Sequence, residues 1–420
     1  MKILFVTKHY QGGAGDRSYM FRLEKLLRHR GHDVGYFAMH YPQNRPTPFS
    51  KYFVSNITFN DTLHSRHPGH WAKALLSSFY SLESRVKIGQ LLEDYRPDMV
   101  HIHSLDAHLT YSILPAIKKR SIPIVWTLHS FSPLCINYFL YDRKKGRICE
   151  ACKPDRYYMA ALKRCKNGSL AASMTGALIN GFNRLMPFLK LVDAFICPSR
   201  FLRNKFIEFN FRPEKLFVVP NFVNLPAPAT RTEESYGIFV GRIEPEKGVR
   251  VVAEALKNTP IPFKFIGDGS ARKELIGKTA QMGLHQVEFT GFKSGDELKN
   301  LFAGALFSVV PSLIYDVAPL TILESYAFAK PVIGFNIGGI PELIKHNETG
   351  LIVEDLSAER LREKMLSLYH NPATAARMGD RARRYVQSAH DAEQHYRRMM
   401  AVYSACRGGK SDVPPPKRRF

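Results

Sequence analysis

The sequence is short of acidic residues and of long apolar runs. Its 420 residues hold 37 Asp and Glu against 60 Lys and Arg, which gives a formal net charge of +23. Polar residues such as Asn180, Arg184 and Asp193 interrupt the longest apolar stretch, residues 170–197, so no run reaches the ~18 residues that a transmembrane helix needs. The apolar run at residues 3–7 is too short for the core of a signal peptide. We therefore expect a chain that stays in the cytoplasm.

Several sequence motifs are also missing. No zinc-finger spacing, basic helix with heptads or aromatic ribonucleoprotein motif occurs, so we expect no nucleic-acid partner despite the positive charge. The dinucleotide fingerprint of oxidoreductases fails, because Gly13-Ala-Gly15 is followed by Arg17 and Ser18 rather than by a third glycine at the required spacing. No Asp-x-Asp pair occurs, which argues against a divalent-metal site built on two such carboxylates.

The positive charge is concentrated in the first half of the chain. Residues 1–205 carry 31 Lys and Arg against 13 Asp and Glu, whereas residues 206–420 carry 29 against 24. The anionic lipids of a cytoplasmic membrane face attract such a surface without any sequence-reading motif. We expect a peripheral association with that membrane, and a charged surface that only maintains solubility is the alternative.

Two series of short apolar runs alternate with helical segments, and each series predicts a parallel α/β sheet. The length also exceeds what one hydrophobic core usually supports, which favours two domains. Two irregular segments, at about residues 41–80 and 132–168, interrupt the alternation of strands and helices in the first series, and we interpret them as insertions. Four prolines cluster between residues 213 and 228 and indicate a hinge, placed at 206–234.

Candidate binding residues follow the strands of both series. Gly12 and Gly13 form a loop whose backbone N–H groups favour an anion, although tight packing alone would also require glycine there. Arg242 and Lys247 flank a turn before a helix, a combination suited to two phosphates. Glu324 lies one turn inside a later helix, where a carboxylate accepts hydrogen bonds from sugar hydroxyls.

The run Pro311-Ser-Leu-Ile-Tyr-Asp-Val-Ala-Pro-Leu-Thr-Ile-Leu-Glu324, with Gly338-Gly-Ile-Pro-Glu342, resembles the signature of the retaining family 4 glycosyltransferases, which have the GT-B fold. That fold is α/β, with two Rossmann-like domains facing across a cleft and a C-terminal helix that crosses back to the first domain. The resemblance spans nearly the whole chain to about residue 400. It implies an N-terminal acceptor-binding domain at 1–205, a nucleotide-sugar-binding domain at 235–385, a return helix at 386–406 and a disordered basic tail at 407–420.

The resemblance also implies roles for individual residues. Arg242 and Lys247 would hold the donor diphosphate, Glu324 the ribose and Asp316 the hydroxyls of the transferred sugar. His129 falls where the family has an active-site histidine, and we give His103 an acceptor-side role. The remaining donor-site residues are those in the hinge, the glycine loop and the start of the helix that carries Glu324: Asn221, Gly12, Gly13, Leu320 and Thr321.

By the same resemblance, the donor is a nucleotide-diphosphate sugar and the acceptor a glycan or a polyprenyl-linked glycan of cell-surface polysaccharide. Catalysis would need no enzyme nucleophile and no metal. One position departs from the family, which usually has glutamate where this chain has Asp316. A GT-B binding protein with weak or no catalytic activity is therefore the alternative function.

Six cysteines in a cytoplasmic chain are expected to be reduced. Cys135, Cys149, Cys152 and Cys165 fall within 31 residues, with a two-residue spacer in the central pair, a pattern compatible with tetrahedral zinc. A subset of the family carries a similar cysteine-bearing insertion. A structural zinc site is thus one expectation, and reduced packing cysteines are the alternative.

Overall fold

The computed structural model describes residues 1–13, 15–56, 76–105, 109–226 and 235–408. The first half contains strands β1 (Lys2–Val6), β2 (Asp33–Phe37), β3 (Met99–Ile102), β4 (Ile124–Thr127), β5 (Tyr141–Asp142), β6 (Arg147–Ile148), β7 (Ala194–Cys197) and β8 (Leu216–Val218). The second half contains β9 (Tyr236–Val240), β10 (Phe263–Ile266), β11 (Val287–Gly291), β12 (Ala305–Val310), β13 (Val332–Phe335) and β14 (Gly350–Val353).

The helices of the described residues surround these strands. Those of the first half are α1 (Asp16–His29), α2 (Leu82–Tyr95), α3 (Ile113–Lys118), α4 (Tyr158–Leu162), α5 (Leu170–Leu185) and α6 (Arg200–Glu208). Those of the second half are α7 (Val249–Ala255), α8 (Arg272–Gln281), α9 (Gly295–Gly304), α10 (Leu320–Ala327), α11 (Ile340–Leu343), α12 (Ala358–Tyr369), α13 (Pro372–Ala389) and α14 (Ala392–Cys406).

Two parallel six-stranded sheets organise the chain, in the orders β2-β1-β3-β4-β7-β8 and β11-β10-β9-β12-β13-β14. Their strands are almost continuously apolar, as expected when helices cover both faces of a parallel sheet. The carboxyl ends of the strands, where such sheets bind ligands, carry the loops of the candidate site.

The structure differs from the sequence-based expectation in three segments. Strand β8 lies inside the predicted hinge and completes the first sheet, because Leu216 to Val218 pair with β7. The return helix begins at Ala392 rather than at residue 386, since Val386 still packs in the core of the second domain and Asp391 caps the new helix. The predicted irregular insertion at 132–168 contains the β5–β6 hairpin and α4.

Parts of three predictions lie outside the described residues: the middle of the first insertion, at 57–75, the hinge segment 227–234, and the tail from residue 409 onward. In the part of the chain that the structure describes, no helix combines the length and the apolar character needed to cross a membrane.

Candidate active site

The turn after β9 carries Lys247, and a close approach between two backbone segments determines its geometry. Residues Pro245–Lys247 form one turn of 3-10 helix that ends at Gly248 with a positive φ of 73°. A Cβ atom on Gly248 would lie only 1.8 Å from the carbonyl oxygen of Pro311, so only glycine allows this approach. The turn thereby presents Lys247 Nζ at 2.5 Å from Asp316 Oδ1.

Asp316 is held from both sides. Its Oδ2 accepts a hydrogen bond from the Ser312 hydroxyl, and its backbone oxygen accepts one from Gly339 N at 2.6 Å. A Cβ on Gly338 would approach that backbone oxygen to 2.7 Å, which explains the glycine pair in the motif. The structure thus brings the predicted Lys247 and Asp316 together in a fixed geometry.

Glu324 lies at the cleft between the two sheets and forms an ion pair across it. Arg22 Nη2, on α1 of the first domain, is 2.7 Å from Glu324 Oε1. On the same helix, the Thr321 hydroxyl donates to the Val240 carbonyl at 3.3 Å, and Leu320 packs against the cores of both domains. Glu324 and Leu320 therefore contact the first domain, Thr321 contacts β9 of the second, and Arg22 is a partner that no sequence motif indicated.

The predicted histidines form part of a stacked cluster at the end of β3 and β4. The rings of His101 and His103 stack at 4.3 Å, and those of His103 and His129 at 5.6 Å, with 3.3 Å between His103 Nδ1 and His129 Nε2. His103 Nε2 is buried and has no hydrogen-bond partner among the residues that the structure describes. Burial lowers the pKa of His129, against an opposing effect of Asp16, so its imidazole is neutral near pH 7.

This cluster continues into the return helix and the hinge. His101 binds the Tyr403 hydroxyl at 2.6 Å and Thr127 at 2.7 Å. His395 bridges the Tyr19 hydroxyl at 3.0 Å and the Pro220 carbonyl at 2.8 Å. A buried polar network thus links the candidate site to the segment where the domains join.

The predicted hinge residue Asn221 is 7% exposed and lies in the same region. Its amide nitrogen donates to the Ala318 carbonyl at 3.3 Å, and its backbone oxygen binds His390 Nδ1 at 2.8 Å. Asn221 therefore connects the hinge to the loop between Asp316 and α10.

We expect the protein to lose stability as the pH falls from about 6.5 towards 4. Burial lowers the pKa of His101 to about 3 and that of His395 to about 4, whereas both take up a proton near pH 6.5 in the unfolded chain. The unfolded state then binds more protons, so each histidine removes at most about 1.4 kcal/mol per pH unit inside that window. Urea unfolding at pH 7.5, 6 and 5 measures the slope.

The variant His101→Gln is the diagnostic for this slope, and His285→Gln, at an exposed position, is its control. His101→Gln should flatten the dependence of the unfolding free energy on pH, whatever its own stability at pH 7.5. An equal slope in both variants would contradict the assignment.

The β5–β6 insertion also reaches the donor turn, which the sequence did not reveal. Arg143 Nη2 is 2.8 Å from Glu246 Oε1, and Glu246 is 5% exposed. The guanidinium of Arg242 lies over the Phe139 ring at 5.9 Å from its centroid. Arg242 is therefore supported by the first domain, and the insertion contacts both sides of the turn that carries Lys247.

The four cysteines of the predicted zinc site lie near one another. Burial, followed by the neighbouring thiols, raises the pKa of Cys152 to about 12 and that of Cys165 to about 11. Cys135 Sγ donates to Asn137 Oδ1 at 2.9 Å, and Cys149 completes the group of nearby thiols. Within the described ranges, no three His, Cys, Asp or Glu side chains are arranged to hold a metal ion. The structural zinc site therefore stays a prediction, and so does its alternative, reduced packing cysteines.

The predicted glycine loop borders a cavity of 520 Å³ along α1. Gly12 and Gly13 are exposed, and a Cβ on Gly13 would meet the Arg17 guanidinium at 2.4 Å. The cavity is also lined by Arg22, so the loop and the partner of Glu324 share one space.

Family models match most of the chain. The model described as Glycosyltransferase Family 4 matches residues 14–226, and the model described as Glycosyl transferases group 1 matches residues 224–385. The two models thus meet at the hinge.

Individual relatives agree with these matches. An uncharacterized glycosyltransferase of Methanocaldococcus jannaschii is 31% identical over 46% of this chain and 54% of its own length, about half of that relative. A second one from the same organism is 26% identical over 84% of this chain and 85% of its own. The O-antigen chain mannosyltransferase C of Escherichia coli is 27% identical over 42% of this chain and 48% of its own.

Two solved structures share the fold. Sucrose-phosphate synthase from Thermosynechococcus elongatus has a TM-score of 0.69 at 18% identity, over 96% of this chain and 98% of its own. Anabaena HepE in complex with UDP has a TM-score of 0.63 at 17% identity, over 96% of this chain and all of its own. The prediction of two Rossmann-like α/β domains of GT-B type is confirmed.

Proposed function

Because this chain belongs to Glycosyltransferase Family 4, we propose that it transfers a sugar, with retention of configuration, from a nucleotide-diphosphate sugar to a glycan or lipid-linked acceptor. The observation that carries the proposal is the pairing of Lys247 with Asp316 in the loop that leads into α10, whose Glu324 pairs with Arg22 of the first domain. The ammonium of Lys247 suits a phosphate and the carboxylate of Asp316 suits the hydroxyls of a sugar. The carboxylate of Glu324, about one turn inside α10, suits the hydroxyls of a ribose.

We assign the donor contacts as follows. Arg242 and Lys247 bind the diphosphate, Asp316 accepts hydrogen bonds from the sugar hydroxyls and Glu324 from the ribose hydroxyls. In the structure Glu324 pairs with Arg22, so ribose binding would exchange that ion pair for two hydroxyl contacts. Leu320, Thr321 and Asn221 fix the start of α10 and the hinge beside the donor.

The transfer step proceeds on one face of the sugar. The bond between the anomeric carbon and the diphosphate oxygen breaks, the acceptor oxygen bonds to that carbon on the same face, and the acceptor proton passes to the leaving phosphate oxygen. Lys247 and Arg242 stabilise the negative charge that develops on the leaving group, so metal is not required. Neutral His129, supported by His103, donates a hydrogen bond to the sugar and fixes its orientation.

A donor screen by thermal shift tests the proposal. A nucleotide that binds only the folded state at 100 times its dissociation constant adds about 2.7 kcal/mol to the free energy of unfolding. We expect one of UDP, GDP or ADP, with one of its sugars, to raise the unfolding temperature and to be turned over with acceptor present. No shift with any of them would contradict the proposal.

We expect Asp316→Glu to retain or raise the rate of transfer. The family usually has glutamate at this position, and a longer carboxylate still lies within reach of Lys247 and the sugar hydroxyls. The measurement is kcat/KM for the donor, with the unfolding temperature as the check on folding. Near-complete loss in a folded variant would favour the alternative, a GT-B binding protein with little catalysis.

The positive charge of residues 1–205 supports a location on the inner face of the cytoplasmic membrane, where lipid-linked precursors of surface polysaccharide are assembled. The resemblance to an O-antigen mannosyltransferase supports the same acceptor class. The four cysteines at 135–165 support placing the chain in the subset with a cysteine-bearing insertion, where they would bind a structural zinc or pack as reduced thiols.

A further inference from the structure

Two neighbouring helices expose an unusual amount of apolar surface. Among the described residues, twelve large apolar side chains are strongly exposed, and six of them belong to α4 and α5. They are Tyr158, Leu162, Leu170, Met174, Leu178 and Leu185, with exposed fractions between 46% and 80%. Side chains of this kind are ordinarily scattered singly on a protein surface, so this concentration points to a partner.

The four of these residues on α5 form one stripe. With 3.6 residues per turn, positions 170, 174, 178 and 185 fall within an arc of about 80°. The buried residues of the same helix, Ser173, Gly176 and Ala177, lie on a neighbouring arc that faces the protein. The stripe is therefore a second apolar face, directed to solvent, on a helix that already has a packed one.

A strongly basic segment adjoins the stripe. Residues 143–166 contain nine Lys or Arg and two Asp or Glu, and both acids are ion-paired, Glu150 with Lys205 and Asp155 with Arg184. Three of these cations are also ion-paired, Arg143 with Glu246, Lys153 with Glu208 and Lys163 with Asp142, and the segment keeps an excess of positive charge. An apolar face bordered by such an excess matches the interface of a bilayer with anionic headgroups, where apolar side chains enter the acyl region. A protein partner would have to supply an apolar and an acidic surface together.

A cavity of 230 Å³ lies at the edge of this face, between the β5–β6 hairpin and the loop from α4 to α5. Its cations are Arg143, Lys144, Lys163 and Arg164. Its single carboxylate, Asp142, already accepts hydrogen bonds from Lys144 N and Lys145 N at 3.1 and 3.2 Å. The pocket thus has the charge to receive a phosphate headgroup.

We propose that this docking face, consisting of the apolar stripe of α4 and α5 and the cationic pocket beside it, seats the protein on a bilayer containing anionic phospholipid. Arg143 lines the pocket and also pairs with Glu246 of the donor turn, so the docked face lies next to the cleft. The biological purpose rests on the proposed function, because a lipid-linked acceptor would reach the donor from that membrane.

Sedimentation of the full chain with vesicles tests the docking. We expect binding to vesicles of phosphatidylcholine with phosphatidylglycerol, at least tenfold weaker binding to phosphatidylcholine alone, and weakening by salt. Leu178→Glu/Leu185→Glu should lower the binding at least tenfold, whereas Leu356→Glu, an exposed leucine of the second domain, should not. Lys144→Glu/Arg164→Glu should weaken binding more than Lys299→Glu/Arg360→Glu, which makes the same charge change elsewhere.

Equal vesicle binding by the stripe variant and the unaltered protein would overturn the proposal. A second result would also overturn it: the unaltered protein sediments as a dimer, the stripe variant sediments as a monomer, and both still bind vesicles. The stripe would then be a contact between copies of the chain. The thermal shift with nucleotides is read separately. A protein that binds nucleotide and turns over sugar but ignores anionic vesicles refutes only the docking, and the reverse result refutes only the glycosyl transfer.

Discussion

Replacing Lys247 with alanine is expected to lower kcat by about 10²- to 10³-fold, the loss seen when one donor to a developing oxyanion is removed. Lys247 is the residue that the donor turn fixes in place, and its ammonium is only 2.5 Å from Asp316. Charge on the leaving diphosphate is greatest in the transition state, so the loss should fall on kcat more than on KM. Initial rates over a range of donor concentrations separate the two constants.

Stability provides the control for this prediction. The Lys247–Asp316 pair is partly exposed, and such pairs contribute at most about 1 kcal/mol, so the variant should unfold close to the unaltered protein. Lys299→Ala removes a more exposed Lys–Asp pair, with Asp296 on α9 of the same domain, and should leave kcat unchanged. An unchanged kcat in Lys247→Ala would remove this residue from the mechanism.

Arg242→Ala is also expected to lower kcat. Because Arg242 and Lys247 act on one diphosphate, the double variant should lose less than the product of the two single losses. A loss equal to that product would mean that the two cations act independently.

The sequence was informative where chemistry depends on neighbours along the chain. The donor turn at 241–248 and the run from Pro311 to Glu324 each follow directly after a strand and lead into a helix, so their geometry follows from local rules. The alternation of apolar runs likewise predicted both sheets, since most of their strands are buried on two faces.

Contacts between distant segments were not predictable in this way. Arg22 meets Glu324 across 302 positions, and Arg143 meets Glu246 across 103, so no spacing rule connects either pair. The zinc prediction depends on such contacts too. Its spacing is suitable, but tetrahedral geometry depends on where the loops bring the thiols, and in the structure Cys135 Sγ donates a hydrogen bond to Asn137 Oδ1.

Gly248→Ala is expected to produce the largest loss of stability among single substitutions near the site. A non-glycine residue in the left-handed region costs about 1–2 kcal/mol. In addition, its Cβ would lie 1.8 Å from the Pro311 carbonyl oxygen, and relieving such overpacking by a backbone shift costs about 1–3 kcal/mol more. Urea unfolding measures the sum. Because the shift displaces Lys247, the rate of transfer should also fall wherever the variant stays folded.

Gly283→Ala separates the two contributions to this effect. Gly283 has a φ of 68°, close to the 73° of Gly248, but no heavy atom lies within 4 Å of the position where its Cβ would be. It should therefore show only the backbone cost, with the rate of transfer unchanged. If both variants lost the same stability, the close approach to Pro311 would not be what requires glycine, and the donor turn would tolerate a side chain at its end. If Gly248→Ala loses more stability than Gly283→Ala and also transfers sugar more slowly, the close contact between the backbones of Gly248 and Pro311 determines the geometry of the phosphate-binding turn.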